Sequence, residues 1–201
     1  MSSILQATTE LEAVNIMLSN IGESPVNSFL DSDVVDAGTA RNILASINRE
    51  VQSHGWWFNT DINRRFLPNT AGEIVMPPNV LKVDTSGPDL KDKNLVLRGN
   101  RLYDRINHTY KISDSVVLTL VLGLSFTDLP ETARRYITIR AARIFQERML
   151  GAPSISNFNM KDEAEANNAL IAEDTDAGDF NYLTDSLTPQ RILNRHQLIR
   201  G

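Results

Sequence analysis

The sequence predicts an α+β protein: a four-helix layer, made of two helical pairs, with a small antiparallel β domain inserted between the second and third helices, and an extended C-terminal tail. Apolar residues recur at helical spacing in two stretches before residue 60 and in two stretches after residue 127. The stretch between them holds short segments rich in Val, Ile, Leu or Tyr, separated by turn residues. Helical pairs on either side of a β block are typical of a helical layer with an insertion.

Composition limits the class of protein. The chain has 201 residues, 41% of them hydrophobic and 22% charged, a net charge of −5 and no cysteine. A chain of this size buries roughly 70% of its unfolded surface, enough for one core or two small ones. Disulfide frameworks, thiol nucleophiles and cysteine-based metal sites are excluded. The N-terminus lacks the apolar core of a signal peptide, and the longest apolar run, residues 116–124, is too short to span a bilayer, so we expect no membrane insertion.

The first two helices are predicted over residues 9–21 and 33–54. Thr9 and Glu12 have capping-box spacing, and Gly22 follows the last apolar residue of the first helix. The second helix ends at Gly55 and has a narrow apolar stripe, with its polar residues, including Asn48 and Gln52, on the remaining surface. The stripe comprises Ala37, Ala40, Ile43, Leu44, Ile47 and Val51.

The aromatic residues Trp56, Trp57 and Phe58 follow directly. Three consecutive rings cannot all face one core, so we expect at least one to pack across a junction or an interface. Seven short strands are then predicted, with a hairpin turn around Gly99: residues 64–67, 73–76, 80–84, 94–97, 102–104, 109–112 and 115–121.

The third helix is predicted to begin at Asp128, with Pro130 in its first turn and Glu131 as the reciprocal capping residue, and to end at Gly151. Tyr136, Ile139 and Leu150 lie off its main apolar stripe, which indicates contacts on two sides. The fourth helix is predicted over residues 160–176, closed by Gly178. Residues 179–201 show no period and carry isolated apolar residues, as a segment that orders on a partner would.

These elements give three predicted domains: a helical bundle domain (1–60 and 127–178), an inserted β domain (61–126) and a C-terminal arm (179–201). Charge differs among them. Residues 62–126 carry nine basic and six acidic residues, residues 161–179 carry one basic and seven acidic, and the arm carries Arg191, Arg195 and Arg200. A generic nucleic-acid binder would be basic overall.

Catalytic signatures are weak. The three histidines are far apart in sequence, and no Gly-rich phosphate loop is present. Asp104 and Asp114 can be nominated as a carboxylate pair for glycoside hydrolysis, but the sequence does not fix their separation. We therefore expect no catalytic residue, metal ion or cofactor, and a scaffold or adaptor role.

Four stretches carry a family resemblance: ELEAVNIMLSNIGESPV (10–26), INREVQSHGWWFN (47–59), RLYDR (101–105) and LPETARRYITIRAARIFQERMLGAP (129–153). In this order they resemble the tail tubular protein A family of short-tailed phages, whose members are adaptors between the portal and the tail nozzle. Trp57 departs from the family pattern, where a smaller residue is expected.

The resemblance implies a virion tail protein that is assembled in the bacterial cytoplasm. It implies a ring of twelve copies, bound to the portal protein and to a nozzle protein of the tail tubular protein B type, with genomic DNA passing through the lumen without sequence recognition. The partner-binding residues that we expect are Trp56, Trp57, Tyr136, Ile139, Arg191, Ile192, Arg195 and Arg200.

Two other functions stay open at this stage. A tail protein with capsule or peptidoglycan hydrolase activity would need a cleft with two positioned carboxylates. A DNA-binding module would need a basic stripe and an affinity that falls steeply with salt.

Overall fold

A computed structural model describes residues 7–29, 35–84, 94–151 and 153–185 of the chain. Its helices are α1 (Glu10–Asn20), α2 (Val35–Gln52), α3 (Glu131–Leu150) and α4 (Pro153–Asp185). Its strands are β1 (Thr60–Phe66), β2 (Val80–Asp84), β3 (Leu95–Arg98), β4 (Arg101–Asp104) and β5 (Val116–Leu122). The predicted α+β order, with a β region between the second and third helices, is confirmed.

The helix α1 begins as its sequence predicts. Thr9 is the N-cap, its hydroxyl accepts a hydrogen bond from the Glu12 N–H, and the Glu12 carboxylate accepts one from the Thr9 N–H. Asn15 then fixes the following loop, because its side chain donates to the Val26 carbonyl and accepts from the Val26 N–H.

The helix α3 lies at the centre of the helical region, in contact with α1, α2 and α4. It has apolar residues on more than one side for this reason. The prediction that Asp128 caps this helix is wrong, because the helix begins at Glu131. Phe126–Asp128 form a 3₁₀ turn, in which Asp128 accepts a hydrogen bond from Ser125. The Glu131 carboxylate instead accepts a hydrogen bond from the Thr8 N–H at 2.9 Å, which ties α3 to the segment before α1.

The helix α4 is longer than predicted. It has 33 residues and continues through Gly178, so the prediction that Gly178 ends it is wrong. Residues 179–185, predicted to belong to the C-terminal arm, are its last turns. The apolar periodicity of this segment is too weak to predict its length. Of the residues at 160–178, only Ala166 and Leu170 are buried.

The β region contains a three-stranded antiparallel sheet in the order β1-β5-β2 and a separate β3-β4 hairpin. The central strand β5 buries Val116, Leu118 and Leu120 on one face. Two of the seven predicted strands, 73–76 and 109–112, are not strands and contribute only the isolated bridges Val75–Arg101 and Asp104–Thr109. Pro77 and Pro78 lack the N–H groups that would extend the first of these segments.

Two hydrophobic clusters fill the molecule. One joins all four helices with Trp56, Phe126 and Leu129. The other lies in the β region and consists of buried residues from its strands and loops: Ile74, Met76, Leu95, Leu102, Ile112, Val116, Leu118 and Leu120. The division of the chain into a helical bundle domain, a β domain and a C-terminal arm stays a prediction.

Two buried amides connect the helical and β regions. Asn59, 2% exposed, donates to the carbonyls of Gln52 and Leu122 and accepts from the Trp56 N–H, with distances of 2.8–2.9 Å. Gln52, 1% exposed, accepts from the Leu124 N–H at 2.7 Å and donates to the Leu124 carbonyl at 3.0 Å. The prediction that Gln52 lies on the polar surface of α2 is wrong, because the returning chain covers it.

Gly55 allows the chain to turn at this junction. Its φ of +88° favours glycine, and a Cβ atom there would lie 2.9 Å from Val121 Cγ2.

We expect Asn59→Ala to lower the free energy of unfolding by about 1–3 kcal/mol, because it removes the side-chain partner of the Trp56 N–H and of the Leu122 carbonyl, while the Gln52 carbonyl keeps its hydrogen bond from the Gly55 N–H. Urea denaturation measures the change. Asn42→Ala is the matched control, an exposed position on α2 where the change should stay within about 0.5 kcal/mol. Equal effects of the two substitutions would contradict the role of Asn59.

We expect Gly178→Ala to raise the free energy of unfolding by about 0.5–1 kcal/mol, because alanine favours a helix interior and no atom lies within 4 Å of the added Cβ. Gly151→Ala is the control: this C-cap of α3 has a φ of +60°, so the same substitution should destabilise by about 1–2 kcal/mol. A loss of stability at Gly178 comparable to that at Gly151 would show that α4 ends there.

Candidate partner-binding site

The predicted partner-binding residues of the described chain lie near one another, but they are largely covered. Trp56 is 6% exposed and Tyr136 is 8% exposed, and both belong to the helical core. Trp57 and Ile139 are half-buried against the same core. Arg191, Ile192, Arg195 and Arg200 lie outside the described residues.

The two tryptophans are fixed by polar contacts at their backbone or ring nitrogen. Trp56 Nε1 donates to the Val51 carbonyl at 2.7 Å, and its ring lies 4.8 Å from that of His54. The Trp57 N–H donates to Asp174 Oδ1 at 2.9 Å, and its ring makes an edge contact with Phe58. Trp57 thus joins the junction after α2 to α4.

Trp56 and Tyr136 both line a groove on the surface of the helical region. We call it the α2-α3-α4 groove. It consists of two adjoining cavities of about 290 and 280 Å³, which share Tyr136, Arg140 and Asn167. The first also contacts the end of α2, through Glu50 and His54, and the second extends along α3 and α4 to Arg143 and Met160.

Charged side chains cross-link the groove floor. Arg140 forms ion pairs with Glu50 at 2.6 Å and with Glu163 at 3.2 Å, and it donates to the Tyr136 hydroxyl at 3.1 Å. Arg143 pairs with Glu163 and with Glu147. The side chains of Glu163 and Arg143 are 13% and 19% exposed, so solvent screens this pair less than a surface pair.

Both arginines remain charged in this setting. Burial by itself lowers the pKa of Arg140, but Tyr136, Glu50 and Glu163 outweigh it, so the pKa is raised. Hydrogen bonding to Glu163 is the main cause that raises the pKa of Arg143. Arg140 Nε is buried and has no hydrogen-bond partner within the described chain, so the network leaves one donor unused.

Apolar side chains stand at the two ends of the groove. Met160 is 56% exposed and Ile171 is 46% exposed, and each lines one of the cavities. They are separated by eleven residues of α4, or about 16 Å at 1.5 Å per residue. The groove therefore has an apolar contact at each end and the paired charges of Glu50, Arg140, Arg143 and Glu163 between them. Such a surface is suited to a peptide segment with apolar and polar side chains.

The nominated carboxylates serve the loops of the β region. Asp104 is 5% exposed and accepts hydrogen bonds from the N–H groups of Ile106 and Asn107 and from the Asn107 side chain. Asp114 accepts a hydrogen bond from the Ser113 hydroxyl. The described ranges contain no group of three or more His, Asp or Glu residues placed to hold a metal ion.

Glu50, Arg140, Glu163 and Asn167 are site residues that the sequence pattern did not indicate. A signal exists in the Arg140 and Arg143 spacing on α3 and in the acidic composition of α4. The pairing itself depends on how α3 packs against α4, which spacing alone does not determine.

No helix in the described ranges combines the length and the apolar character needed to cross a membrane.

Comparison with known proteins gives two findings. Residues 11–180 match a family model described as tail tubular protein. The chain is 33% identical over 163 residues to tail tubular protein A of Klebsiella phage KP34, an alignment that covers 81% of this chain and 84% of that protein. The matched region includes α1 to α3 and most of α4. The chain therefore belongs to the tail tubular protein family and is a structural component of the phage virion tail.

Proposed function

We propose that this tail protein is the adaptor that joins the portal to the tail nozzle, as a ring of about twelve copies that forms part of the DNA ejection channel. The number of copies and the two neighbours are taken from the family resemblance. The structural observation that supports the proposal is the mismatch between the length of α4 and the part of it that the subunit covers. We also propose that the protein has no catalytic role.

The helix α4 has 33 residues, whereas its main partner α3 has 20. At 1.5 Å per residue these are rods of about 50 and 30 Å. Few described side chains of α4 are buried, and Met160 and Ile171 stay exposed. A long helix in water is stabilised mainly by the packing of an apolar face. We infer that a neighbouring subunit covers the part of α4 that its own subunit leaves exposed.

Ring closure needs two different surfaces on each subunit, since each copy contacts its neighbours head to tail. The structure has exposed apolar side chains in both regions. Leu150 and Ile171 are exposed on the helices, and Ile62 and Leu67 are 67% and 73% exposed in and beside the edge strand β1. Tyr136 and Ile139, two of the predicted partner-binding residues on α3, pack against the helical core of their own subunit.

DNA would pass through the ring without binding tightly to the protein. Exposed cations of the β region such as Arg65, Lys82 and Arg105 have no ion pair within the described residues, and they could contact phosphates without reading bases. The acidic side chains of α4 would repel the DNA backbone, and the net charge of −5 opposes tight binding to a polyanion.

We expect the free protein to be a monomer or small oligomer and the ring to appear only when the portal is added. Premature ring formation would compete with genome packaging, so the contacts between copies should be weak in the absence of a template. Native mass spectrometry of the protein with and without portal measures this. Failure to form any ring on the portal would contradict the adaptor function.

The C-terminal arm is proposed to dock on the portal or on an adjacent subunit through Arg191, Ile192, Arg195 and Arg200. We expect deletion of residues 184–201 to reduce the amount of protein retained on immobilised portal at least about tenfold, because burial of even one anchoring side chain contributes that much. Circular dichroism controls for folding. Unchanged retention would show that the arm is not needed for attachment.

A further inference from the structure

The α2-α3-α4 groove has no occupant from the described part of its own subunit, and it has the chemistry of a site for a basic, partly apolar peptide. The described part of α4 carries Lys161 and six acidic residues over 160–178. One of these acids, Glu163, lines the groove, where it pairs with Arg140 and Arg143, and a second, Asp174, lies three residues after the groove residue Ile171 and therefore on the same face of the helix. Asp174 accepts only from a backbone N–H, so its charge is not paired with a cation.

We propose that the occupant is the C-terminal tail, residues 186–201, of a second copy of this chain, an inference that rests on the proposed ring. The tail contains three arginines and no acidic residue, so its charge is complementary to that of α4. Apart from Leu187, its large apolar residues come as two pairs, Ile192-Leu193 and Leu198-Ile199.

The spacing of these pairs fits the groove. Six residues separate them, which is about 20 Å in an extended chain. The apolar ends of the groove, Met160 and Ile171, are about 16 Å apart along α4. One pair can therefore cover each end while the intervening Arg195 lies near Glu50, whose side chain is 56% exposed.

Chain length favours a neighbour's tail over the subunit's own. The helix ends at Asp185, about 21 Å beyond Ile171 and about 37 Å beyond Met160 along a straight axis. Ile192 is seven residues past Asp185, and seven extended residues span about 24 Å. The subunit's own tail would have to reverse direction with almost no residues left for the turn, whereas a tail from the next copy has no such restriction.

Disulfide trapping tests this directly, because the natural chain has no cysteine. One full-length copy carries Ile171→Cys and a mass tag, and an untagged full-length copy carries Leu193→Cys or, separately, Ile199→Cys. The two are mixed, assembled on portal and oxidised. We expect a cross-linked species of mixed mass for at least one pairing.

Matched controls make the result specific. Moving the tagged cysteine to Ile106, a similarly exposed position in the β region, should reduce the mixed cross-link at least about tenfold. A chain carrying both Ile171→Cys and Ile199→Cys reports whether the bond forms within one copy. Groove binding should also weaken as salt rises, since part of the attraction is between exposed charges.

Native mass measurement of the same samples separates the two proposals. A ring that forms on the portal without any mixed cross-link, or with cross-links within single copies only, would overturn the tail-in-groove contact and leave the adaptor function intact. Absence of any ring would overturn the adaptor function itself.

Discussion

Two buried side-chain amides hold the helical and β regions together, and the rest of the structure depends on them. The chain passes between the regions twice, once from α2 to β1 and once from β5 to α3. Asn59 bonds to backbone groups of both crossings, and Gln52 bonds to the returning one. A buried backbone group at such a crossing costs free energy if it is left without a hydrogen bond. The amides supply the partners, and Gly55 supplies the turn that brings them close.

This junction also determines where the groove lies. Trp56 follows Gly55, enters the helical core and lines the groove between α2 and α3. The Trp57 N–H binds Asp174, so the same few residues position α4. The groove is thus a consequence of how the β region is inserted into the helical layer: the residues that connect the two regions also form its wall.

The charged network on the groove floor has a different character. Glu163 from α4 binds two arginines of α3, and Glu50 from α2 binds one of them. Removing one member would leave a partly buried charge without its partner, which costs more than the pair contributes. The network therefore specifies how three helices pack. It also places polar groups at the centre of the groove, whereas the apolar side chains of Met160 and Ile171 lie at its ends.

The sequence by itself determined the class and order of the elements, the capping of α1, the turn at Gly55 and the family, because these depend on local spacing and on residues that act within a few positions of one another. The resemblance also located the aromatic residues at the junction. Only the tertiary structure decided that Gln52 is buried, that Trp56 and Tyr136 belong to the subunit's own core, that α4 runs through Gly178, and that Arg140 meets Glu50 and Glu163. Each of these features depends on a partner many residues away in the chain. A periodic pattern indicates whether a residue is apolar or polar, but it does not indicate which part of the chain will cover that residue.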